Sequence, residues 1–139
     1  MAITRPGYEE EIGGQRRRLL LRNGEIERFE DQYPNCGIFE LYDQLMGRGR
    51  APLVRHVRDI VALGLVGGGM SDRAADDLIA SLPPSENLQL RAIAQRLVGV
   101  TFLPEILSAG KKKAAGSRGK KKTSPSDTTP ATASETSAE

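Results

Sequence analysis

A mainly α fold that opens with a β-hairpin follows from three features of the sequence. One long apolar-periodic stretch, Ala51 to Met70 (APLVRHVRDIVALGLVGGGM), has a defined start and stop. Shorter stretches of helical periodicity lie on both sides of it. Ahead of them all, two short charged runs flank a Gly-Gly pair. The chain has 139 residues, room for one domain, but its end cannot help to build one. From Ser108 onward no apolar residue is larger than alanine, so that segment cannot bury enough surface to offset its ordering entropy. The expected organisation is a flexible N-terminus over residues 1–6, one compact domain over 7–107 holding the hairpin and about five short helices, and a disordered Lys/Ser/Thr-rich tail over 108–139.

Tyr8 to Arg22 has the form of a hairpin, because Gly13-Gly14 suits the primed two-residue turns. Pairing outward from that turn sets Ile12 against Gln15, Glu11 against Arg16, Glu10 against Arg17, Glu9 against Arg18 and Tyr8 against Leu19. Three opposite-charge pairs, each worth about 0.2–1 kcal/mol, favour this register. A two-stranded hairpin is marginal alone, so Leu19 and Leu21 are expected to pack on helices. Asn23 is the expected N-cap of a first helix carrying Ile26, Phe29 and Tyr33, broken by Pro34-Asn35. A second helix, Gly37 to Met46, presents Ile38, Leu41, Tyr42 and Leu45, and the loop GRGR follows.

In the organising helix Pro52 suits the first turn. Leu53, Val57, Ile60 and Gly64 share a face that Val54, Val61 and Leu65 widen, while Arg55, Arg58 and Asp59 point away from it. His56 falls on the polar side, where solvation is expected. Gly67, Gly68 and Gly69 stop the helix, with a positive φ expected within the triplet, at Gly68 for example. Ser71 or Asp72 can cap a fourth helix with Ala75, Leu78, Ile79 and Leu82 inward and Asp76-Asp77 solvated. Pro83-Pro84 ends it. Ser85 is the expected cap of a fifth helix, with Leu90, Ile93, Ala94, Leu97, Val98 and Thr101 on one stripe and Pro104 bending or ending it before Ile106 and Leu107.

The net charge of +2 divides unevenly. The tail holds seven of the 20 basic residues and three of the 18 acidic ones, which leaves the body at −2. Every lysine lies in the tail, so the body is not a basic nucleic-acid platform. Cys36 is the single cysteine and suits a reducing, cytoplasmic setting. No apolar run is long enough to span a membrane. Cys36 and His56 fit no metal-ligand spacing and lack a third residue for a nucleophile–base arrangement. The run Gly64 to Gly69 follows a helix, whereas phosphate-cradling loops follow a strand and precede one, so a tight turn is the expectation. The residues point to no cofactor and no enzyme, and to binding or assembly instead. Phe29, Tyr33, Phe39 and Tyr42, near two helix faces, suit a core or a partner contact.

The parts RRRLLLR, GEIERFE, GIFELYDQL, VRDIVALGLVGGG and SDRAADDLI, over residues 15 to 103, follow one another in a recognisable order. In that order the chain resembles the small tail assembly chaperones of gene transfer agents and siphophage-like tails. The resemblance implies a non-enzymatic assembly factor that binds the helical tape measure protein, contacts the tail tube protein or further copies of itself, and leaves before the particle is finished. It marks Leu65, Gly67, Gly68 and Gly69 as a structural turn. It makes Phe29, Tyr33, Phe39 and Tyr42 candidates for partner contact, with Lys111, Lys112 and Lys113 of the tail adding electrostatic capture. The same family has been labelled a tail tube protein, so a structural tail component is the first alternative; the helical character here contrasts with the β-sandwich subunits of tubes. A nucleic-acid-binding regulator using the Lys tail is the second, and a steep salt dependence of DNA binding would identify it.

Overall fold

Gly13 and Gly14 take φ of +66° and +85°, and strands β1 (Tyr8–Ile12) and β2 (Gln15–Leu19) pair antiparallel across them. This opens the computed structural model, which describes residues 8–107. The expected flexible start and the tail with Lys111, Lys112 and Lys113 lie outside the described residues. The register is the expected one, from Tyr8 opposite Leu19 to Ile12 opposite Gln15. Arg16 and Arg17 do not bond the carboxylates expected opposite them. Arg16 reaches Glu9 at 3.2 Å, Arg17 donates to the Ile12 carbonyl at 3.2 Å, and Glu10 accepts from Arg96 at 2.6 and 3.1 Å. The glycine turn and the burial of Ile12 and Leu19 on one face hold the register, since exposed ion pairs add little.

Over residues 23–102 five α-helices follow: α1 (Asn23–Gln32), α2 (Ile38–Leu45), α3 (Val54–Gly67), α4 (Asp72–Ala80) and α5 (Asn87–Phe102), with a 3-10 turn at Pro84–Glu86 before the last. The mainly helical class with an N-terminal hairpin is as the sequence predicts. The chain divides after Leu103 into two units. Of the second, residues 104–107 are described, helical from Glu105, with Leu107 N–H on the Pro104 carbonyl at 3.3 Å.

Several boundaries shift for local reasons. Arg22, not Asn23, is the N-cap of α1, because the Glu25 carboxylate reaches back to the Arg22 N–H at 2.8 Å and holds its guanidinium at 2.7 Å. Glu86, not Ser85, precedes α5, since Pro84 starts a 3-10 turn that absorbs Ser85. Ser71 caps α4 as expected, its Oγ accepting from Ala74 N–H at 3.1 Å. Leu53 is the N-cap of α3, so it and Val54 stand exposed beyond the core they were expected to join.

α3 is the central element, packed by α1, α4, α5 and β2. Val57, Ile60, Val61 and Leu65 meet the buried stripe Leu90, Ile93, Ala94, Leu97 and Val98 of α5. Being covered on so many sides, α3 has little polar face left. His56 is buried instead of solvated, its ring edge-on to Tyr33 and Phe29 at 4.5 and 5.7 Å. Arg58 does not point away either. Its guanidinium donates to the Ile79 and Leu82 carbonyls at the end of α4 and to Asn87 Oδ1 at 2.6 Å, satisfying acceptors that a helix end leaves open.

The glycine turn is structural, for a different reason from the one expected. Gly68 has φ of −82°, an ordinary helical value, and the positive φ, +124°, is at Gly69. Gly69 N–H bonds Val66 O and Met70 N–H bonds Leu65 O, both at 3.0 Å, the paired bonds of a Schellman stop. Gly67 and Gly68 answer a second need. A Cβ on Gly67 would lie 1.9 Å from the Leu20 carbonyl oxygen, and one on Gly68 would lie 2.1 Å from that of Arg18. The chain from β2 therefore runs backbone to backbone over the end of α3, tied there by Leu20 N–H on Gly64 O at 2.9 Å.

Candidate partner-binding surface

The four aromatic residues singled out from sequence separate into two groups. Phe29 is fully buried, with its ring centroid 5.1 Å from that of Tyr33, which takes it out of the set of surface contacts. Tyr33 is half-buried, and its hydroxyl donates to Asp59. Burial and the adjacent Asp59 carboxylate together push the phenol up to about 12, so it remains a donor at any physiological pH.

Phe39 and Tyr42 lie one turn apart on the outer side of α2, where Phe102 of α5 joins them. The Phe39 and Phe102 rings stack at 5.6 Å, and the Tyr42 ring meets Phe102 edge-on at 5.4 Å. Phe39 is 71% exposed, far more than a phenylalanine needs to be on a small body. Arg48 lies over the Tyr42 ring at 5.5 Å while bonding Asp43 at 3.0 Å, which gives the apolar patch a charge-balanced edge. Tyr42 and Phe102 are half-buried against the core, so Phe39 stands out from them as the exposed part of an apolar patch with a polar edge. Phe102 was missed from sequence, although it follows Val98 at helical spacing; the pattern of α5 placed the stripe only as far as Thr101.

Cys36 is buried, with its thiol pushed up by burial and by Glu40, which makes it a poor nucleophile. Among the described residues no group of three or more His, Cys, Asp or Glu is placed to hold a metal ion, and no helix is long and apolar enough to cross a membrane.

No curated protein and no solved structure matches the chain. A protein-family model does match, over residues 6–103, from before the hairpin to the end of α5 and including the whole aromatic trio. Its description is phage tail tube protein, GTA-gp10. On a match spanning well over half its length, the chain belongs to this family of phage and gene-transfer-agent tail proteins.

Proposed function

We propose that the chain is a component of a phage-type tail, working by protein–protein contact and retained in the tube. The family match carries this reading, because the family is described as a tail tube protein and the match takes in the hairpin, all five helices and the exposed Phe39. Phe39, Tyr42 and Phe102 supply the apolar part of the contact. A second reading, a tail assembly chaperone that holds the tape measure protein and then leaves, draws support from the fold. The only sheet among the described residues is the short β1–β2 hairpin, and the rest of the described body is helical, unlike the β-sandwich subunits of a tube.

Quantitative mass spectrometry of purified particles, with pull-down of the chain from producing cells, separates the two. Many copies per particle support the tube component. Absence from particles, with tape measure protein recovered in the pull-down, supports the chaperone and refutes retention. Phe39→Ser should leave the melting temperature unchanged and reduce whichever association the native chain makes. Full association in that variant would remove Phe39 from the contact.

A further inference from the structure

The corner that joins α1 to α2, residues 32–37, is fastened to α3 by side chains. Among the described residues no backbone hydrogen bond runs between the corner and α3. The Tyr33 hydroxyl and Gln32 Nε2 both donate to Asp59, the second at 3.2 Å, and the Tyr33 ring lies edge-on to His56 at 4.5 Å. His56 belongs to the first turn of α3 and is more than nine-tenths buried. It lines a cleft of about 480 Å³ between the corner, α2 and the start of α3. Its Nδ1 is buried and has no hydrogen-bond partner among the described residues.

This place suits a neutral ring and not a charged one. Neutral imidazole carries one N–H, whereas imidazolium carries N–H on both nitrogens and needs an acceptor for each. The two carboxylates that face the ring are turned to other donors, and neither bonds it. Asp59 of α3 accepts from Tyr33 and Gln32, and Glu40 of α2 accepts from Gln44 Nε2 at 3.2 Å. Arg55 of α3 and Arg50 of the preceding loop, which also line the cleft, add positive charge. Tyr33 of α1 and Cys36 of the corner both have raised pKa values, which keep them neutral. Burial, then Arg55, hold the His56 pKa below its ordinary 6.5, against the opposite pull of Asp59 and Glu40. A protonated ring therefore leaves this place. It turns into the cleft and gives up its contacts with Phe29 and Tyr33.

We propose that His56 is an acid-sensitive latch: when its ring takes up a proton, the corner at residues 32–37 comes away from α3 while the remainder of the body stays folded. The opening is local because the core lies elsewhere. The buried stripe of α5 packs on Val57, Ile60, Val61 and Leu65, further along α3, in contacts that do not involve the corner. Opening the corner uncovers Cys36, which is 5% exposed when the latch is shut. The device does not use Phe39 and stands whichever of the two tail roles holds.

The chain has one cysteine and one histidine, so each reports without ambiguity. The test follows the reaction of Cys36 with 4,4′-dithiodipyridine in the full-length chain. Dividing by the rate for the urea-unfolded chain at the same pH cancels the titration of the thiol itself. Between about pH 7.5 and 5.5 this ratio should rise at least about threefold, with a ceiling of about tenfold set by an open-state histidine pKa near 6.5. NMR of the His56 ring should show it titrating below about 6.5. Over the same range, amide-exchange protection should fall at residues 32–37 and hold at residues 90–98. His56→Gln, polar but unable to charge, should give a ratio that does not change with pH. The ring titration and the exchange pattern are read on the native chain, so they decide the matter even where His56→Gln does not fold. A ratio flat with pH, the same rise in His56→Gln, or a ring titrating above about 6.5 would overturn the proposal. So would equal loss of protection at residues 90–98, since that assigns the acid effect to unfolding of the whole body.

Discussion

Replacing Gly67 by alanine should destabilise the protein, against the ordinary effect of that change in a helix. In an open helix interior alanine is favoured over glycine by about 1 kcal/mol. Here the new Cβ would lie 1.9 Å from the Leu20 carbonyl oxygen, when ordinary contact begins near 3.4 Å, so the two backbones must part by about 1.5 Å. That movement breaks the 2.9 Å bond from Leu20 N–H to Gly64 O and lifts Leu19, 1% exposed, from its seat against α3. Overpacking costs about 1–3 kcal/mol and the lost hydrogen bond about 0.5–1.5 kcal/mol. After subtracting the helical gain, the net loss is about 0.5–3.5 kcal/mol. For a body of this size that lowers Tm by roughly 2–28 °C, read by circular dichroism or calorimetry. Gly24→Ala is the matched control: it too is helical, nothing lies within 4 Å of its added Cβ, and its φ is not positive, so stability should stay level or rise. A Gly67→Ala protein that melts at or above the native temperature would refute the backbone-contact account of the glycine motif.

Three further outcomes follow from contacts elsewhere in the body. Arg58→Met should cost about 1.5–3 kcal/mol and speed hydrogen exchange at the end of α4, because it strips the Ile79 and Leu82 carbonyls and Asn87 of their shared donor. A double-mutant cycle should find coupling of about 0.5–1 kcal/mol between Glu10 and Arg96 and close to none between Glu10 and Arg17, despite the direct cross-strand opposition of the latter pair. Burial, then the nearby Arg55, lowers the His56 pKa below its ordinary 6.5, so the unfolded chain takes up a proton before the folded one does. His56 therefore contributes stability that is fully present above about pH 6.5 and is lost as pH falls through the folded value; a flat Tm between about pH 7.5 and 5.5, or the same slope in His56→Gln, would count against this.

Local periodicity carried most of the fold. The hairpin register follows from two glycines and an alternating pattern, and the α5 stripe from Leu90 to Val98 follows from spacing alone. What the sequence concealed depends on neighbours far along the chain. His56 and Arg58 fall on the polar side of α3 by spacing, yet α1 covers the first and the end of α4 receives the second. The triple glycine is visible as a stop signal, but the demand on Gly67 and Gly68 comes from the backbone of β2, which no local pattern encodes. Of the candidate surface, Phe39 and Tyr42 were among the aromatic residues offered for a core or a partner contact, while burial removed Phe29 and packing against α5 supplied Phe102.

Seating the hairpin on bare backbone also sets an order of events during synthesis. β1 and β2 leave the ribosome before α3, as a pair too small to persist in water. Their seat, Gly64 to Gly68, does not exist until α3 has been made and has wound into a helix, so the N-terminal strands must wait, unprotected, for a partner that arrives late. Their dense, mixed charge then has a use before folding is complete: Glu9 to Glu11 and Arg16 to Arg18 keep a waiting edge from joining that of another nascent chain.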